Sequence, residues 1–218
     1  MKLYSYFRSS ASYRVRIALN LKNLPYEVVP IHLQKNGGEH LTAEYRQLNP
    51  NALVPALIDE ADDNPAALTQ SLAIIEYLEE THPESALLPK NAADRAFVRS
   101  IALSIACEIH PLNNLRVLRY LVRDLKVDEE SKNAWYRHWV EEGLTALEAT
   151  LSRDRRVGKF CFGDTPTLAD CCLVPQIANA QRFNCDLSNM PTIMRINDAC
   201  LALDAFTKAG PANQPDAE

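Results

Sequence analysis

The first 22 residues constrain the fold most, because they combine a strand, a turn and a helix in one run. Residues 2–6 are typical of a short strand, and residues 7–10 form a turn that contains two serines. A helical pattern opens at Ala11 and continues through Leu19. A strand that leads directly into a helix predicts a domain in which helices pack against a small sheet.

The same mixture of short strands and helices continues to residue 82. The later elements are a β-rich run at 26–31, a short helix within 39–48, apolar runs at 54–58 and 66–68 with an acidic turn at 59–64 between them, and an amphipathic helix that contains Leu72, Ile75 and Leu78. The order βαβαββα predicts one small sheet with helices packed against it.

The character of the chain changes after residue 82. Prolines interrupt the periodicity in residues 83–91, which is typical of a linker. Beyond them, long helical patterns occupy residues 92–125, 129–152 and 167–181, with shorter pieces after Pro191 and near Leu203. We therefore predict an α/β domain at 1–82, a linker at 83–91 and an all-helical domain at 92–218. The stretch 210–215 is expected to be an extended, weakly ordered end.

The charge balance argues against a nucleic-acid partner, and the lack of a long apolar run argues against a membrane partner. The 218 residues have a formal net charge of −5 and a pI near 5.6, whereas a nucleic-acid surface needs clustered Lys and Arg. No apolar run approaches the roughly 18 residues of a membrane span. Arg8, Arg14 and Arg16 stand where a signal peptide has its apolar stretch. We expect a soluble cytoplasmic protein.

The six cysteines indicate neither a metal site nor a disulfide scaffold. They are Cys107, Cys161, Cys171, Cys172, Cys185 and Cys200. Their spacing is not that of metal ligands, and their density is too low for a disulfide framework. We expect reduced and mostly buried cysteines that act as small apolar side chains, and no bound metal.

The serine turn carries the strongest chemical signal. In a redox protein this corner would contain Cys-x-x-Cys, because the N-terminus of a helix stabilises a thiolate. Here it contains Arg8, Ser9, Ser10 and Ser12. Helix capping explains one serine, but the crowding of hydroxyls, N–H groups and an arginine also suits an anion. A hydroxyl that donates to a thiolate lowers the pKa of that thiol, so this turn can hold a thiolate that arrives with a bound molecule.

Two further motifs have both a structural and a functional interpretation, and a third is structural. The Val54-Pro55 bond is either cis, which would turn the Val54 amide toward a peptide-like ligand, or an ordinary edge-strand proline. Ser71 is expected to cap the helix that follows it, and Gln70 with the first helical N–H groups would form a second anion pocket. Thr167 and Asp170 have the spacing of a capping box, which is a folding signal.

Five stretches of the sequence, in order along the chain, resemble the zeta-class glutathione transferases, the family of the maleylacetoacetate isomerases. They are residues 4–19 (YSYFRSSASYRVRIAL), Asn49-Pro50 with Val54-Pro55, residues 70–80 (QSLAIIEYLEE), residues 110–115 (HPLNNL) and residues 173–176 (LVPQ). The resemblance implies a thioredoxin-like domain followed by an all-helical domain, a homodimer, and glutathione bound mostly by the first domain.

The resemblance also implies roles for individual residues. Ser9 would hold the glutathione sulfur, assisted by Ser10 and the amides at Ala11, and Val54 would pair with the peptide backbone. Gln70 and Ser71 would hold the γ-glutamyl end, and His40 would approach the glycine end. Arg8 and Arg182 are predicted to contact the anionic substrate. From the helical domain, the resemblance places three more residues at the site: His110, Asn114 and Arg116.

The activity that the resemblance implies is glutathione-dependent cis-trans isomerisation of maleylacetoacetate in tyrosine and phenylalanine breakdown, by reversible addition of a thiolate to the double bond. Ala11 stands where many eukaryotic relatives have cysteine, so this chain has no protein thiol at that position. Three alternatives stay open: maleylpyruvate isomerisation in gentisate degradation, conjugation or dehalogenation of small α-haloacids, and a non-catalytic binding protein with the same fold.

Overall fold

The computed structural model describes residues 1–61 and 65–218. Its internal contacts divide the chain into two units, residues 1–87 with 203–218, and residues 88–202. The boundary after Leu87 falls within the stretch predicted to be a linker. Part of the predicted acidic turn, residues 62–64, lies outside the described residues.

The first unit contains a four-stranded sheet, counted over the described residues. Its strands are β1 (Lys2–Ser5), β2 (Glu27–Pro30), β3 (Ala56–Ile58) and β4 (Leu68–Thr69), in the order β2-β1-β3-β4. β1 is parallel to β2 and antiparallel to β3, and β3 is antiparallel to β4. Tyr4 lies opposite Ala56, which lies opposite Thr69. The end of β1, the start of β3 and the end of β4 therefore share one edge of the sheet.

The helices of this unit pack against the sheet as the βαβαββα pattern predicts. They are α1 (Ser10–Leu21), α2 (Ala43–Leu48) and α3 (Ser71–Thr81), with 3-10 turns at Lys35–Gly37 and Glu39–Leu41. Leu3, Ile17, Leu57 and Ile74 are completely buried between the layers. The predicted α/β architecture of the first part of the chain is confirmed.

The second unit is helical throughout its regular structure. Its helices are α4 (Ala92–Leu103), α5 (Leu115–Arg123), α6 (Glu129–Leu151), α7 (Leu168–Arg182) and α8 (Pro191–Leu201). α7 is buried along most of its length, and the predicted capping box of Thr167 and Asp170 begins it. These elements confirm the all-helical prediction.

The predicted single helix at 92–125 is wrong, because the chain changes conformation in its middle. After α4 come a π-helical segment, Ser104–Ile109, and a 3-10 turn, His110–Asn113. Pro111 has no N–H to continue an α-helical ladder. Asn114 then caps a new helix, with its side chain accepting a hydrogen bond from Arg116 N–H at 3.1 Å.

The stretch 210–215 was expected to be weakly ordered, and this prediction is wrong. Residues 203–218 pack on the first unit, although the sequence analysis placed them in the helical domain. They contain α9 (Asp204–Ala209) and a 3-10 turn at Pro211–Asn213. Phe206 and Ala209 are completely buried, and the Gln214 amide donates to the carbonyls of Lys208 and Gly210 at 3.0 Å. Apolar burial and these hydrogen bonds order the segment.

The cysteines are mostly buried, as expected. Cys161, Cys171, Cys172 and Cys200 are buried, Cys185 is half-buried and Cys107 is exposed, and all six are free thiols. Burial raises the pKa of the Cys161 and Cys171 thiols well above the ordinary value, so these side chains are neutral. Separately, no helix in the described part of the chain combines the length and the apolar character needed to cross a bilayer.

The Lys22 side chain is fully buried at the end of α1, and its ammonium group has several acceptors. It pairs with the Glu79 carboxylate at 2.7 Å and donates to the carbonyls of His82 and Glu84 at 2.8 and 3.3 Å. The same Glu79 oxygen accepts from Leu87 N–H at 2.9 Å. This buried ion pair therefore holds residues 82–87 against α1 and α3.

Replacing Lys22 with methionine is expected to lower the free energy of unfolding by about 3–5 kcal/mol, because the Glu79 carboxylate then stays buried without its cation. Urea denaturation measures the change. Lys208→Met is the matched control, since the Lys208–Asp204 pair lies on the surface with side chains 71% and 83% exposed. That control should leave the free energy almost unchanged, and equal losses in both variants would contradict the assigned role of Lys22.

Candidate active site

Three backbone segments meet at the sheet edge where β1 ends. The turn at residues 6–9 follows β1, residues 53–55 precede β3, and Gln70 follows β4. Tyr6, Phe7 and Val54 belong to one buried apolar cluster, which joins the first two segments. The topology therefore brings together the three motifs that the sequence analysis singled out in the first domain.

The serine turn is closed by its own backbone and begins α1. Ser9 N–H donates to the Tyr6 carbonyl at 2.9 Å. Ser9 is the N-cap of α1, and its Oγ accepts from Ser12 N–H at 3.2 Å. A hydroxyl that accepts one hydrogen bond can still donate its proton. Ser9 can therefore cap the helix and donate to an anion at the same time. Ser10 is the buried first residue of α1.

Arg8 is exposed at the tip of this turn. Its guanidinium carbon lies 4.8 Å from the centre of the Phe7 ring, so the ring supports the side chain. Within the described residues, no carboxylate lies within ion-pair distance of Arg8. The side chain is thus available to an anionic ligand, and its contact with the substrate stays a prediction.

Arg16 holds the serine turn from inside, and its role was missed by the sequence analysis. The side chain is completely buried. Its Nη1 donates to Ser5 Oγ at 3.0 Å, its Nη2 to the Phe7 carbonyl at 3.1 Å and its Nε to the Ala209 carbonyl at 2.8 Å. Burial lowers the pKa of Arg16 to about 10, so it remains charged near neutral pH. An arginine inside an apolar helical pattern was the available signal.

The Val54 amide belongs to a peptide group that two neighbouring side chains hold in place. The Val54-Pro55 bond is cis. The Leu53 carbonyl accepts from Tyr45 Oη and from Asn49 Nδ2, each at 2.8 Å. This carbonyl and the Val54 N–H belong to one planar peptide unit, so the two hydrogen bonds also fix the N–H. Among the described residues, no acceptor is found for the Val54 N–H.

Ser71 does not cap α3, which corrects the prediction. Gln70 is the N-cap, with a φ of 69°, and its side chain makes no capping hydrogen bond. A positive φ in a residue other than glycine costs about 1–3 kcal/mol. Ser71 is the first residue of the helix, and its Oγ accepts from Arg14 Nη1 at 3.3 Å. Arg14 therefore links α1 to the start of α3.

His40 is buried in the 3-10 turn that precedes α2. Gly38 permits the position of its ring, because a Cβ on residue 38 would lie 2.6 Å from His40 Cε1. Gly38 also has a φ of 107°, which L-residues rarely adopt. The loop thus places His40 by means of a glycine, and its predicted contact with a ligand stays a prediction.

In the second unit, two predicted residues lie together around the turn at 110–114. Asn114 Nδ2 lies 3.5 Å from His110 Nε2. The neighbouring Asn113 donates from Nδ2 to the Tyr136 carbonyl at 3.4 Å, which ties the turn to α6. Arg116 is exposed in the first turn of α5, and no acceptor for its side chain is found in the described ranges.

Arg182 lies at the end of α7 beside two stacked aromatic rings. The Tyr136 and Phe183 rings stack with centroids 3.6 Å apart, and the Arg182 guanidinium carbon is 5.1 Å from the centre of Phe183. Burial raises the pKa of Tyr136 to about 12, and the nearby Arg182 opposes the rise. Arg182 is exposed and donates to Asn179 Oδ1 at 3.3 Å. Arg182 therefore places a cation beside Tyr136, whose carbonyl accepts the hydrogen bond from Asn113 in the turn at 110–114.

Comparison with protein families matches both parts of the chain. The model "Glutathione S-transferase, N-terminal domain" matches residues 3–86, and the model "Glutathione S-transferase, C-terminal domain" matches residues 133–185. The first match contains all three segments at the sheet edge. The second contains Arg182.

Individual relatives match along the whole chain. A protein named probable maleylacetoacetate isomerase from Vibrio cholerae serotype O1 is 51% identical over 215 residues, which are 99% of this chain and 97% of the relative. A solved structure of a bacterial zeta-class maleylpyruvate isomerase is 50% identical, with full coverage of both chains and a TM-score of 0.94. A maleylacetoacetate isomerase from Methylobacterium extorquens AM1, solved with malonate and glutathione, is 41% identical, with full coverage and a TM-score of 0.94.

Proposed function

We propose that this chain, which belongs to the zeta class of the glutathione transferase family, is a glutathione-dependent isomerase that converts maleylacetoacetate to fumarylacetoacetate in tyrosine and phenylalanine catabolism. The observation that carries the proposal is the serine turn at the N-terminus of α1, within a chain that matches such isomerases over its full length. The relative solved with glutathione and malonate supports both the cofactor and an acidic substrate.

The polar groups at the sheet edge fit glutathione. The tripeptide offers a thiol, peptide groups and two carboxylates. Ser9 has a hydroxyl proton to donate to the sulfur, with Ser10 and the Ala11 amide nearby in the same helical turn. The Val54 N–H suits a peptide carbonyl of the ligand. Gln70, Ser71 and the first N–H groups of α3, which have no intrahelical acceptors, suit the γ-glutamyl carboxylate. His40 would contact the glycine end.

When bound, glutathione supplies a thiolate whose reversible addition turns the cis double bond into a single bond, so that rotation followed by loss of the thiolate gives the trans isomer. The task of the protein is to keep that sulfur ionised and in place. A hydrogen bond from Ser9 stabilises the thiolate over the thiol, and the positive end of the α1 dipole acts in the same direction. Both effects lower the pKa of the bound thiol.

The arginines serve the substrate. Maleylacetoacetate carries a carboxylate and carbonyl oxygens conjugated to the double bond. Arg8 has a guanidinium that the described residues leave without a carboxylate partner, so it can bind one of these oxygens. Arg182 offers a second cation from α7, and His110, Asn114 and Arg116 offer further donors from the second unit. Each of these roles is part of the proposal.

Maleylpyruvate is the second candidate substrate, because a maleylpyruvate isomerase of known structure is 50% identical over the full chain. The two acids share the cis double bond between carbonyl groups and differ in the chain beyond it. The proposed site residues act on the shared part. The two substrates are therefore distinguished by comparing the kcat/KM values measured for the two acids.

The proposal predicts isomerisation that requires a free thiol on glutathione. Purified protein is incubated with each acid, and loss of the conjugated chromophore is followed with glutathione, with S-methylglutathione and without either. We expect turnover with glutathione alone and a higher kcat/KM for maleylacetoacetate. Equal rates without glutathione would refute the proposal, and a preference for maleylpyruvate would select the second candidate. Halide release from α-haloacids without isomerisation would indicate a dehalogenase instead.

We further propose that the protein is a cytoplasmic homodimer, as the family resemblance implies. Sedimentation equilibrium should give twice the 24.5 kDa mass of the chain. The second unit exposes large apolar side chains suited to a partner copy, which are Leu103, Tyr120 and Leu125, between 45% and 57% exposed. A monomer at all concentrations would contradict this part of the proposal without affecting the chemistry of the site.

A further inference from the structure

The segment 203–218 is attached to α1 by hydrogen bonds between residues that are far apart in the sequence. Tyr13 Oη donates to the Phe206 carbonyl at 3.1 Å, and Asn20 Nδ2 donates to the Ala205 carbonyl at 3.0 Å. Arg16 Nε donates to the Ala209 carbonyl at 2.8 Å. These contacts place the segment along the helix that begins with the serine turn.

Beyond α9, the segment reaches the serine turn itself. The Phe7 N–H donates to Asp216 Oδ2 at 3.0 Å, a contact between residues 209 positions apart. The Phe7 carbonyl accepts from Arg16 Nη2 at 3.1 Å. Both backbone polar groups of Phe7 are therefore held, the N–H by Asp216 and the carbonyl by Arg16. The rest of the turn is closed by the hydrogen bond from Ser9 N–H to the Tyr6 carbonyl.

Glu218 attaches the same segment to the loop that leads to His40. Its carboxylate forms an ion pair with Lys35 and lies 3.5 Å from His32 Nε2. His32 Nδ1 accepts from Lys35 N–H at 2.7 Å, so the proton of the neutral ring is on Nε2, which faces Glu218. His32 also packs edge-on against Tyr6 at 5.0 Å between centroids. The segment thus contacts the turn that follows β1 and the loop that follows β2.

We propose that Asp216 is a positioning residue for Ser9: by holding the Phe7 N–H, it sets the turn from which the Ser9 hydroxyl reaches the glutathione sulfur. The inference rests on the proposed function. Phe7 lies two residues before Ser9, and Arg8 between them is exposed at the tip of the turn. The hydrogen bonds at Phe7 therefore limit movement of the backbone just before Ser9. Small displacements of a hydrogen-bond donor are enough to weaken its effect on a reacting group.

Two substitutions of Asp216 separate its hydrogen bond from its charge. Asp216→Ala removes the acceptor. Asp216→Asn keeps a carbonyl oxygen for the Phe7 N–H and removes the charge. The other carboxylate oxygen, Oδ1, is buried and has no hydrogen-bond partner among the described residues, so an NH₂ group there displaces no existing bond.

We expect Asp216→Ala to lower kcat/KM for glutathione about tenfold, the effect of one lost hydrogen bond. The pKa of the bound glutathione thiol, read from its ultraviolet thiolate absorbance against pH, should rise. Asp216→Asn should keep both values close to wild type. Asp204→Asn, which removes a charge from an exposed residue of the same segment, is the control and should change neither.

Wild-type values in Asp216→Ala would overturn the inference, as would equal losses in the Ala and Asn variants, since charge would then be responsible. If the Ala variant does not fold, Asp216→Glu tests the same point: it keeps the charge and moves the acceptor by one methylene, so it should also raise the thiol pKa, and a wild-type pKa would overturn the inference. Calorimetric titration of the wild type with glutathione tests the proposed function separately, because absence of binding there would refute the function itself.

Discussion

Replacing Ser9 with alanine is expected to lower glutathione-dependent turnover about a hundredfold, the size of effect seen when one donor to a reacting anion is removed. The pKa of the bound thiol should rise, because the thiolate loses the hydrogen bond that stabilises it. Stability should fall by only about 1 kcal/mol, the usual value of a helix N-cap. Steady-state kinetics, the pH dependence of the thiolate absorbance and urea denaturation measure these three quantities.

Asn91→Ala is the matched control for this variant. Asn91 caps α4, with its side chain accepting from Ala93 N–H at 2.8 Å, and it has no proposed contact with glutathione. The control should show a similar loss of stability and unchanged turnover. If Ser9→Ala retains wild-type turnover, or if both variants lose activity in proportion to stability, Ser9 is a structural cap and the assigned role is wrong.

Replacing Asp170 with alanine is expected to destabilise the second unit by about 3 kcal/mol or more, because it leaves three buried donors without an acceptor. Asp170 is completely buried. Its carboxylate accepts from Cys161 N–H at 2.9 Å, Thr167 N–H at 2.7 Å and Thr167 Oγ1 at 2.9 Å. Burial raises the pKa of Asp170, and these hydrogen bonds oppose the rise. Loss of this magnitude is a large fraction of the stability of a domain.

Asp128→Ala provides the comparison for Asp170. Asp128 caps α6 at the surface and accepts from Ser131 N–H and Ser131 Oγ, each at 2.8 Å. Water can replace those hydrogen bonds, so the loss in this variant should be much smaller. Urea denaturation and the yield of soluble protein distinguish the two. Equal losses would show that burial adds nothing to the role of Asp170.

Local patterns predicted the elements that depend on local physics. The strand, serine turn and helix at the start of the chain follow from side-chain periodicity and helix capping, and Ser9 is the N-cap of α1. The capping box of Thr167 and Asp170 spans four residues, so its spacing could be read directly. The break of the predicted helix at 92–125 was missed because the π-helical segment and the 3-10 turn are short, so they interrupt the helical spacing for only a few residues.

The errors at the candidate site have a different origin. Ser71 was expected to be a cap, but Gln70 takes that position with a positive φ, and Ser71 Oγ instead accepts from Arg14. Arg16 stood out as an arginine inside an apolar helical pattern, but its contacts with Ser5, Phe7 and Ala209 could not be read from that pattern, because these partners come from two parts of the chain outside α1. Local periodicity holds no information on such partners.

By itself, the amino-acid sequence determined the class of each half, the position of the serine turn and, through its resemblance to zeta-class transferases, the chemistry to expect there. Only the tertiary structure decided how that turn is held. Asp216 reaches the Phe7 N–H across 209 positions, and residues 210–215 are ordered on the first unit although their own composition resembles that of a loose end. The physical reason is that this order comes from burial and hydrogen bonds with distant residues, and no local preference of the segment encodes them.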